Sequence, residues 1–434
     1  MNLLFSNDKR GQYPPSWYAA TAHASDVSPA LKGETRADVA VIGAGYTGLS
    51  AALHLAQAGR DVVLLDAHRV GFGASGRNGG QLGSGQRQDQ ITLEKTVGDD
   101  NARALWDLAE AGKALVKSLI ATHDIDCDLT PGVAETGFEA GEHRHAEHYA
   151  HHLGTHYSYD QLEVLDREAF HAVCPSPAYH GGVIDWGAAH LHPLNYSLGL
   201  ARAAKAAGVR VFENSHVHHL TQGAKAIVHT DRGRVLADHV VLAGNGYLGG
   251  LDRKVAARVM PINNFIVATP PLGDDAARVL ARNIAVADSK FVVNYFRLSP
   301  DKRLLFGGGE SYGYRFPSDI AATVRKPMAQ IFPHLADIPI DYAWGGTLAI
   351  TVKRLPYFAR CAPNVLSASG YSGHGVASAT HAGQMLAQAI LGQSDSFDIM
   401  ARLPVASFPG GPALRTPLLA TAMTWYALRD RLGI

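Results

Sequence analysis

The chain has 434 residues, enough for two domains or one large discontinuous one. Hydrophobic residues at 47% and charged residues at 18% suit a compact globular protein with a sizeable core. With 39 Lys+Arg against 39 Asp+Glu there is no basic or acidic footprint, so neither nucleic acid nor an anionic membrane surface is an expected partner.

Residues 1–35 read as an N-terminal arm. Its first ten residues lack the apolar core of a signal peptide. Its Tyr13-Pro14-Pro15-Ser16-Trp17-Tyr18 run, with two prolines and three aromatics, suggests an ordered segment lying on the body rather than a helix.

The most informative stretch follows. A short apolar strand at 38–42 runs into Gly43-Ala44-Gly45-Tyr46-Thr47-Gly48, then into an alanine-rich helix over 46–58 that Gly59 ends. A second strand at 61–65 delivers Asp66, 23 positions after Gly43. In such a G-x-G-x-x-G unit the first glycine makes the turn, the second admits a pyrophosphate and the third packs helix on strand. The unpaired N–H groups of the helix start hold the anion, and the acid accepts from ribose hydroxyls. A merely structural glycine turn is the alternative, weakened by the order strand, turn, helix, strand, acid.

Directly after comes Gly71-Phe-Gly-Ala74-Ser75-Gly-Arg77-Asn78-Gly79-Gly80-Gln81, a loop rich in donors for phosphates and a ring edge. Residues 95–122 read as a long amphipathic helix. Helix 142–156 carries six histidines. His148 and His152 stand at i, i+4 and could hold a metal, but a solvated helix face is the simpler reading, so no metal is expected. Helix 194–207 and the strand pieces at 209–213, 216–220, 226–230 and 234–242 continue a doubly wound unit with a small meander, ending in Gly244-Asn245-Gly246. Strand-like pieces at 265–269, 291–297 and 303–307, with one helix at 318–332, suggest a largely antiparallel second sheet. The strand at 365–369, Gly370-Tyr371-Ser-Gly373-His374-Gly375-Val376 and the helix at 376–391 repeat the strand–glycine–helix pattern. A second helix N-terminus there can face the negative edge of a reduced isoalloxazine ring, which a nicotinamide enzyme does not need. The apolar stretch at 417–428 is too short to span a bilayer, and Cys127, Cys174 and Cys361 form no C-x-x-C. A reducing, cytoplasmic setting is expected.

On these motifs, together with Trp344-Gly345-Gly346-Thr347 running into Thr351 and Pro356, the chain resembles the FAD-dependent amine and amino-acid oxidase family that includes D-amino-acid oxidase, glycine oxidase and monomeric sarcosine oxidase. Within it, the arm, the 71–81 loop, 344–351 and the tail at 408–415 are similar to bacterial oxidases of glutamylated diamines. The resemblance implies an α/β fold (α+β overall), with a Rossmann-like FAD-binding domain at 36–92, 186–250 and 346–395. A largely antiparallel substrate domain would hold 93–185 and 251–345, and a tail with a helix 396–434. It implies FAD held by Gly43, Ala44, Gly45, Tyr46, Thr47, Gly48, Asp66, Ala67, Ala74, Ser75, Arg77, Asn78, Gly79, Gly80, Gln81, Val217, Gly244, Asn245, Gly246, Gly346, Gly373, His374, Gly375 and Val376. Sarcosine oxidases attach flavin through a cysteine whose place here is about Gly346, so non-covalent FAD is expected. Those oxidases also carry a lysine over the flavin; the matching strand at 303–307 has none at its centre, leaving the acceptor open between O2 and another carrier.

The implied reaction is hydride transfer from the α-carbon of a neutral amine to flavin N5. Imine hydrolysis and reoxidation by O2 to H2O2 follow. No side-chain base is required if the pocket desolvates the amine. His374 and Tyr371 are candidates beside the ring. Tyr295, Phe296, Arg297, Trp344, Lys353 and Tyr371 are candidates for the substrate pocket, with Arg297 or Lys353 taking a distant carboxylate. An FAD-dependent dehydrogenase with another acceptor and a non-catalytic flavin-binding subunit are the competing readings.

Overall fold

The computed structural model describes residues 3–311 and 313–409. One sheet has the order Tyr357–Ala362, Val365–Ser369, Gly233–Leu242, Gly33–Ile42, Val62–Leu65, Arg210–Phe212. Apart from its first pair, this path is parallel. Its central stretches are continuous apolar runs, buried on both faces as a covered parallel sheet requires. The hairpin of Val217–Thr221 and Ala226–Thr230 hangs from Gly233–Leu242.

Two helices, Tyr46–Gln57 and Gly375–Ile390, pack side by side on this sheet. Small residues permit their close approach. A Cβ at Gly383 would lie 2.4 Å from the Thr47 carbonyl oxygen and 2.6 Å from Ser50 Cβ. That contact brings both helix N-termini to one place.

The second sheet runs Tyr342–Ile350, Met260–Ala268, Leu304–Ser311, Tyr295–Leu298, Ala285–Asp288, Thr130–Thr136, Gly182–His190, Gln81–Leu82, with Leu162–Leu165 on the side. Only the pair Ala285–Asp288 and Thr130–Thr136 is parallel among these neighbours. Helix Ile320–Ile331 covers one face, its Val324, Met328 and Ile331 packing with Phe296, Phe306 and Phe332.

Several expectations are corrected. The boundaries at 186 and 346 fall inside strands Gly182–His190 and Tyr342–Ile350, both of which belong wholly to the second sheet. Strand Gln81–Leu82 also joins that sheet, from within the loop assigned to the cofactor domain. The arm contains short helices, Leu3–Ser6 and Trp17–Thr21, the second capped by Ser16. The strand expected at 291–297 is confined to Tyr295–Leu298, because Asp288 accepts from the backbone N–H groups of Lys290 and Asn294 and folds the preceding residues into a loop. In helix Glu142–Tyr157, His152 pairs with Glu94 (2.8 Å), and among the described residues no three His, Cys, Asp or Glu converge as a metal site would need. The tail motif beyond 409 and the apolar stretch at 417–428 lie outside the described residues. Among those described, no helix is long and apolar enough to cross a membrane.

Candidate active site

A cavity of about 950 Å³, large for a small-molecule site, lies between the two sheets. Both helix N-termini open into it. Gly45 precedes Tyr46–Gln57 and His374 precedes Gly375–Ile390. Neither supplies a side-chain cap, so the N–H groups of both first turns face the cavity with little protein partnering.

The glycine turn is built by contact distances. Gly43 has φ +107°, and a Cβ there would meet the Ala243 carbonyl oxygen at 2.8 Å. A Cβ on Gly48 would lie 1.8 Å from the Gly43 oxygen. Both glycines therefore shape the turn from behind, and only Gly45, Tyr46 and Thr47 of this motif line the cavity. Ser75 Oγ accepts from the Tyr46 N–H (3.0 Å), tying the second loop to the helix start. That loop is self-braced: Asn78 Nδ2 donates to the carbonyls of Ala74 and Ser75, and its Oδ1 accepts from the Gly80 N–H. Ala74, Ser75, Arg77, Asn78, Gly79, Gln81, Asn245, Gly346 and Gly373 to Val376 also line the cavity.

His374 and Tyr371 stand at the second helix start. The Tyr371 hydroxyl is 2.7 Å from Thr47 Oγ1, joining the two helix N-termini. The His374 Nε2 is buried and has no hydrogen-bond partner among the described residues. Burial, aided by the charge of Arg87, pushes His374 down to about 4, so it is neutral in ordinary buffers.

With a glycine-built double helix terminus and a braced donor loop on one cavity, the comparison with known proteins becomes decisive. The model of the FAD dependent oxidoreductase family, DAO, matches residues 38–389. The chain belongs to that family. It is 42% identical to "Probable oxidoreductase OrdL" of Rhizobium meliloti, over 96% of this chain and 97% of that one. It is 40% identical to the gamma-glutamylputrescine oxidoreductase of Escherichia coli, over 98% of this chain and 100% of that one. Among solved structures, the glycine oxidase of Geobacillus kaustophilus has the same fold. Its TM-score is 0.66 at 21% identity, covering 82% of this chain and 95% of that one.

The residues of this FAD-dependent oxidoreductase fit the cofactor. A pyrophosphate matches the helix start after Gly45, which has no side-chain cap and where any Cβ would lie 2.7 Å from Ser75 Oγ. The unpartnered Nε2 of His374 and the second bare helix terminus match the electron-accepting edge of a ring.

Other expected residues lie elsewhere. Asp66 sits behind the turn: its Oδ2 accepts from the Ala44 N–H (2.8 Å) and its Oδ1 from the His68 N–H (2.8 Å). Burial raises it to about 6 against those two bonds. Ala44, Ala67, Gly80, Gly244 and Gly246 do not line the cavity, nor does Val217, which packs on the outer core of the first sheet. Trp344 is fully buried, and its Nε1 donates to the Arg77 carbonyl oxygen (3.1 Å), bracing the loop from behind. Phe296 points into the opposite core.

Both proposed carboxylate binders are corrected. Arg297 is buried under the loop, donating to the carbonyls of Gly79 (3.2 Å) and Leu191 (3.1 Å). Lys353 is exposed outside the cavity, where its carbonyl accepts from Gln88, whereas Arg354 lines the wall. Tyr295 does line the cavity. It lies against Gly79 and Gly307, and its hydroxyl donates to Asn264 Oδ1 (2.5 Å). Sequence reasoning missed the far wall, with Arg87, Glu135, Lys290, Phe291 and Arg354. The one charged side chain in the Thr130–Thr136 strand, Glu135, was the available signal.

Proposed function

We propose that this enzyme oxidises the terminal carbon of a primary amine on a linear aliphatic chain that bears a distant carboxylate. γ-Glutamylputrescine is the best-fitting substrate, with non-covalent FAD as cofactor and O2 as acceptor, in the cytoplasm. The observation that supports this reading is one cavity lined both by two uncapped helix N-termini and by charges of both signs. The 40% identity to a protein named for that reaction supports it. The flavin, when bound, accepts the hydride.

The chain's own residues do the rest. Tyr295, Tyr371 and Phe291 offer aromatic faces that exclude water from the reacting end. Loss of water favours the neutral amine, the form whose carbon gives up hydride. Neutral His374 adds no like charge there, and its free Nε2 can hold one hydrogen bond. Charges on the far wall orient the chain from its remote end, which raises the rate by fixing the reacting carbon.

Two measurements test this. Acid precipitation should leave yellow cofactor in the supernatant. All three cysteines are buried away from the cavity, and flavin retained on the pellet would refute non-covalent binding. In anaerobic flavin bleaching, γ-glutamylputrescine should have a kcat/KM at least roughly tenfold above putrescine, the scale of one oriented charged contact. Equal rates, or preference for glycine or sarcosine, would leave only the family assignment. Strand Leu304–Ser311 contains no lysine, which favours a second reading with a carrier as acceptor. Stoichiometric peroxide in air would exclude it.

A further inference from the structure

We infer that Arg87 and Glu135 form a zwitterion subsite in the cavity, with Glu135 two strands from Tyr295, taking the α-carboxylate and the α-ammonium of an amino-acid head on the substrate. This deepens the functional reading above and rests on it.

The register of the second sheet places Glu135. It stands opposite Val183 on one neighbouring strand and Ala287 on the other, and Ala287 stands opposite Tyr295. All four line the cavity, so they form one row across its floor. Residues opposite one another on adjacent strands share a face, and strands lie about 4.8 Å apart. Glu135 is thus two strand spacings, about 10 Å, from the tyrosine at the reacting end. An extended γ-glutamylputrescine has about eight bonds between its α-carbon and its reacting carbon. At about 3.5 Å for every three chain bonds it spans about 9 Å. The row and the ligand match in length.

Charge singles out the pair. Other ionic groups on this wall are already engaged. Asp89 caps helix Gln90–Val97 by accepting from the Thr92 N–H, Lys290 lies 4.5 Å over the Phe138 ring, and Arg354 lies 4.6 Å over Phe291. Glu142 stays in the first turn of its helix. Arg87 and Glu135 are different: neither side chain has a hydrogen bond or ion pair among the described residues, yet both line the cavity and the Arg87 charge acts on the Glu135 carboxyl. Glu135 is exposed toward the cavity; the protein around it raises its carboxyl, and the Arg87 charge opposes that rise. An ammonium from the ligand would complete the compensation on Glu135. A carboxylate would do the same for Arg87, whose forked guanidinium matches it.

The test compares three amines on the holoenzyme: γ-glutamylputrescine, N-glutarylputrescine without the α-amino group, and N-(4-aminobutanoyl)putrescine without the α-carboxylate. In Glu135→Gln the ratio of γ-glutamyl to glutaryl kcat/KM should fall roughly ten- to hundred-fold. In Arg87→Gln the ratio of γ-glutamyl to 4-aminobutanoyl kcat/KM should fall by a similar factor. Calorimetric titration with γ-glutamyl-n-butylamide, which keeps the amino-acid head and lacks the terminal amine, should show the same weakening in both variants, with flavin content equal to wild type. Selectivity ratios unchanged in the variants, while wild type still prefers the glutamylated amine, would overturn the subsite alone. A wild type that oxidises no glutamylated amine and does not bind the butylamide would overturn the functional reading and the subsite together.

Discussion

Gly45→Val should give a folded protein that purifies colourless. Gly45 ends the first turn at the cavity, and a Cβ there would sit 2.7 Å from Ser75 Oγ, the atom that accepts from the Tyr46 N–H. Contacts under 3 Å force a shift, and valine adds two further methyls in the space a pyrophosphate would occupy. The helix itself does not require that glycine, because its φ is −87°. The loss should therefore fall on cofactor binding, with the ratio of flavin to protein absorbance dropping to baseline while the circular dichroism spectrum stays near wild type. Gly48→Ala provides the contrast. Its Cβ would be 1.8 Å from the Gly43 backbone oxygen, which cannot rotate away, so that variant should fail as a fold. A yellow Gly45→Val protein with normal flavin content would show that this helix start does not hold the cofactor.

Which parts could be read from sequence follows from locality. The turn at 43–48 and the segment at 370–376 are each specified within a few residues by glycines and a following helix, the loop at 74–81 by its run of glycines, and each reaches the cavity. The strand at 365–369 came with its bounds intact for the same reason, being a short buried run closed by Gly370. The substrate side depends on which strands become neighbours. Thr130–Thr136 lies beside Ala285–Asp288 across some 150 positions of chain, so nothing local announces that Glu135 and Tyr295 share a floor. Arg297 shows the same limit. It alternates onto the same side as Tyr295, but one pleat further along it is covered by Gly79 and Leu191. Lys353 and Arg354 differ by one position, and the choice between them rests on Arg354 taking a left-handed φ of +57°. Asp66 stands where the motif puts it, yet its oxygens are spent on Ala44 and His68, since a short aspartate reaches its own loop.

The holoenzyme should lose stability as pH falls from about 6.5 toward 4, through histidines that latch the N-terminal arm. The Gly11 N–H donates to His68 Nδ1 (3.1 Å), so His68 carries its proton on Nε2, which donates to the Leu4 carbonyl (2.7 Å). His192 is arranged alike: Nδ1 accepts from the Asn195 N–H (3.1 Å), and Nε2 faces Thr21 Oγ1 (3.1 Å). Protonating either Nδ1 would set an N–H against an N–H inside the core. Burial accordingly lowers His68 to about 4 and His192 to about 3, with Arg297 adding to the second. The sign follows from linkage. These folded values lie below the unfolded 6.5, so the unfolded chain binds more protons across that window. Stability is fully present above 6.5 and drains as pH falls toward the folded values. Between pH 6.5 and 5 each such histidine costs about 2 kcal/mol. Melting temperature measured by circular dichroism from pH 7.5 to 5 should fall steeply. His192→Asn should flatten that slope, because asparagine can still cap helix Pro193–Ala206 by accepting from the same N–H but cannot take up a proton. An unchanged slope in His192→Asn would mean that the acid sensitivity arises away from this latch.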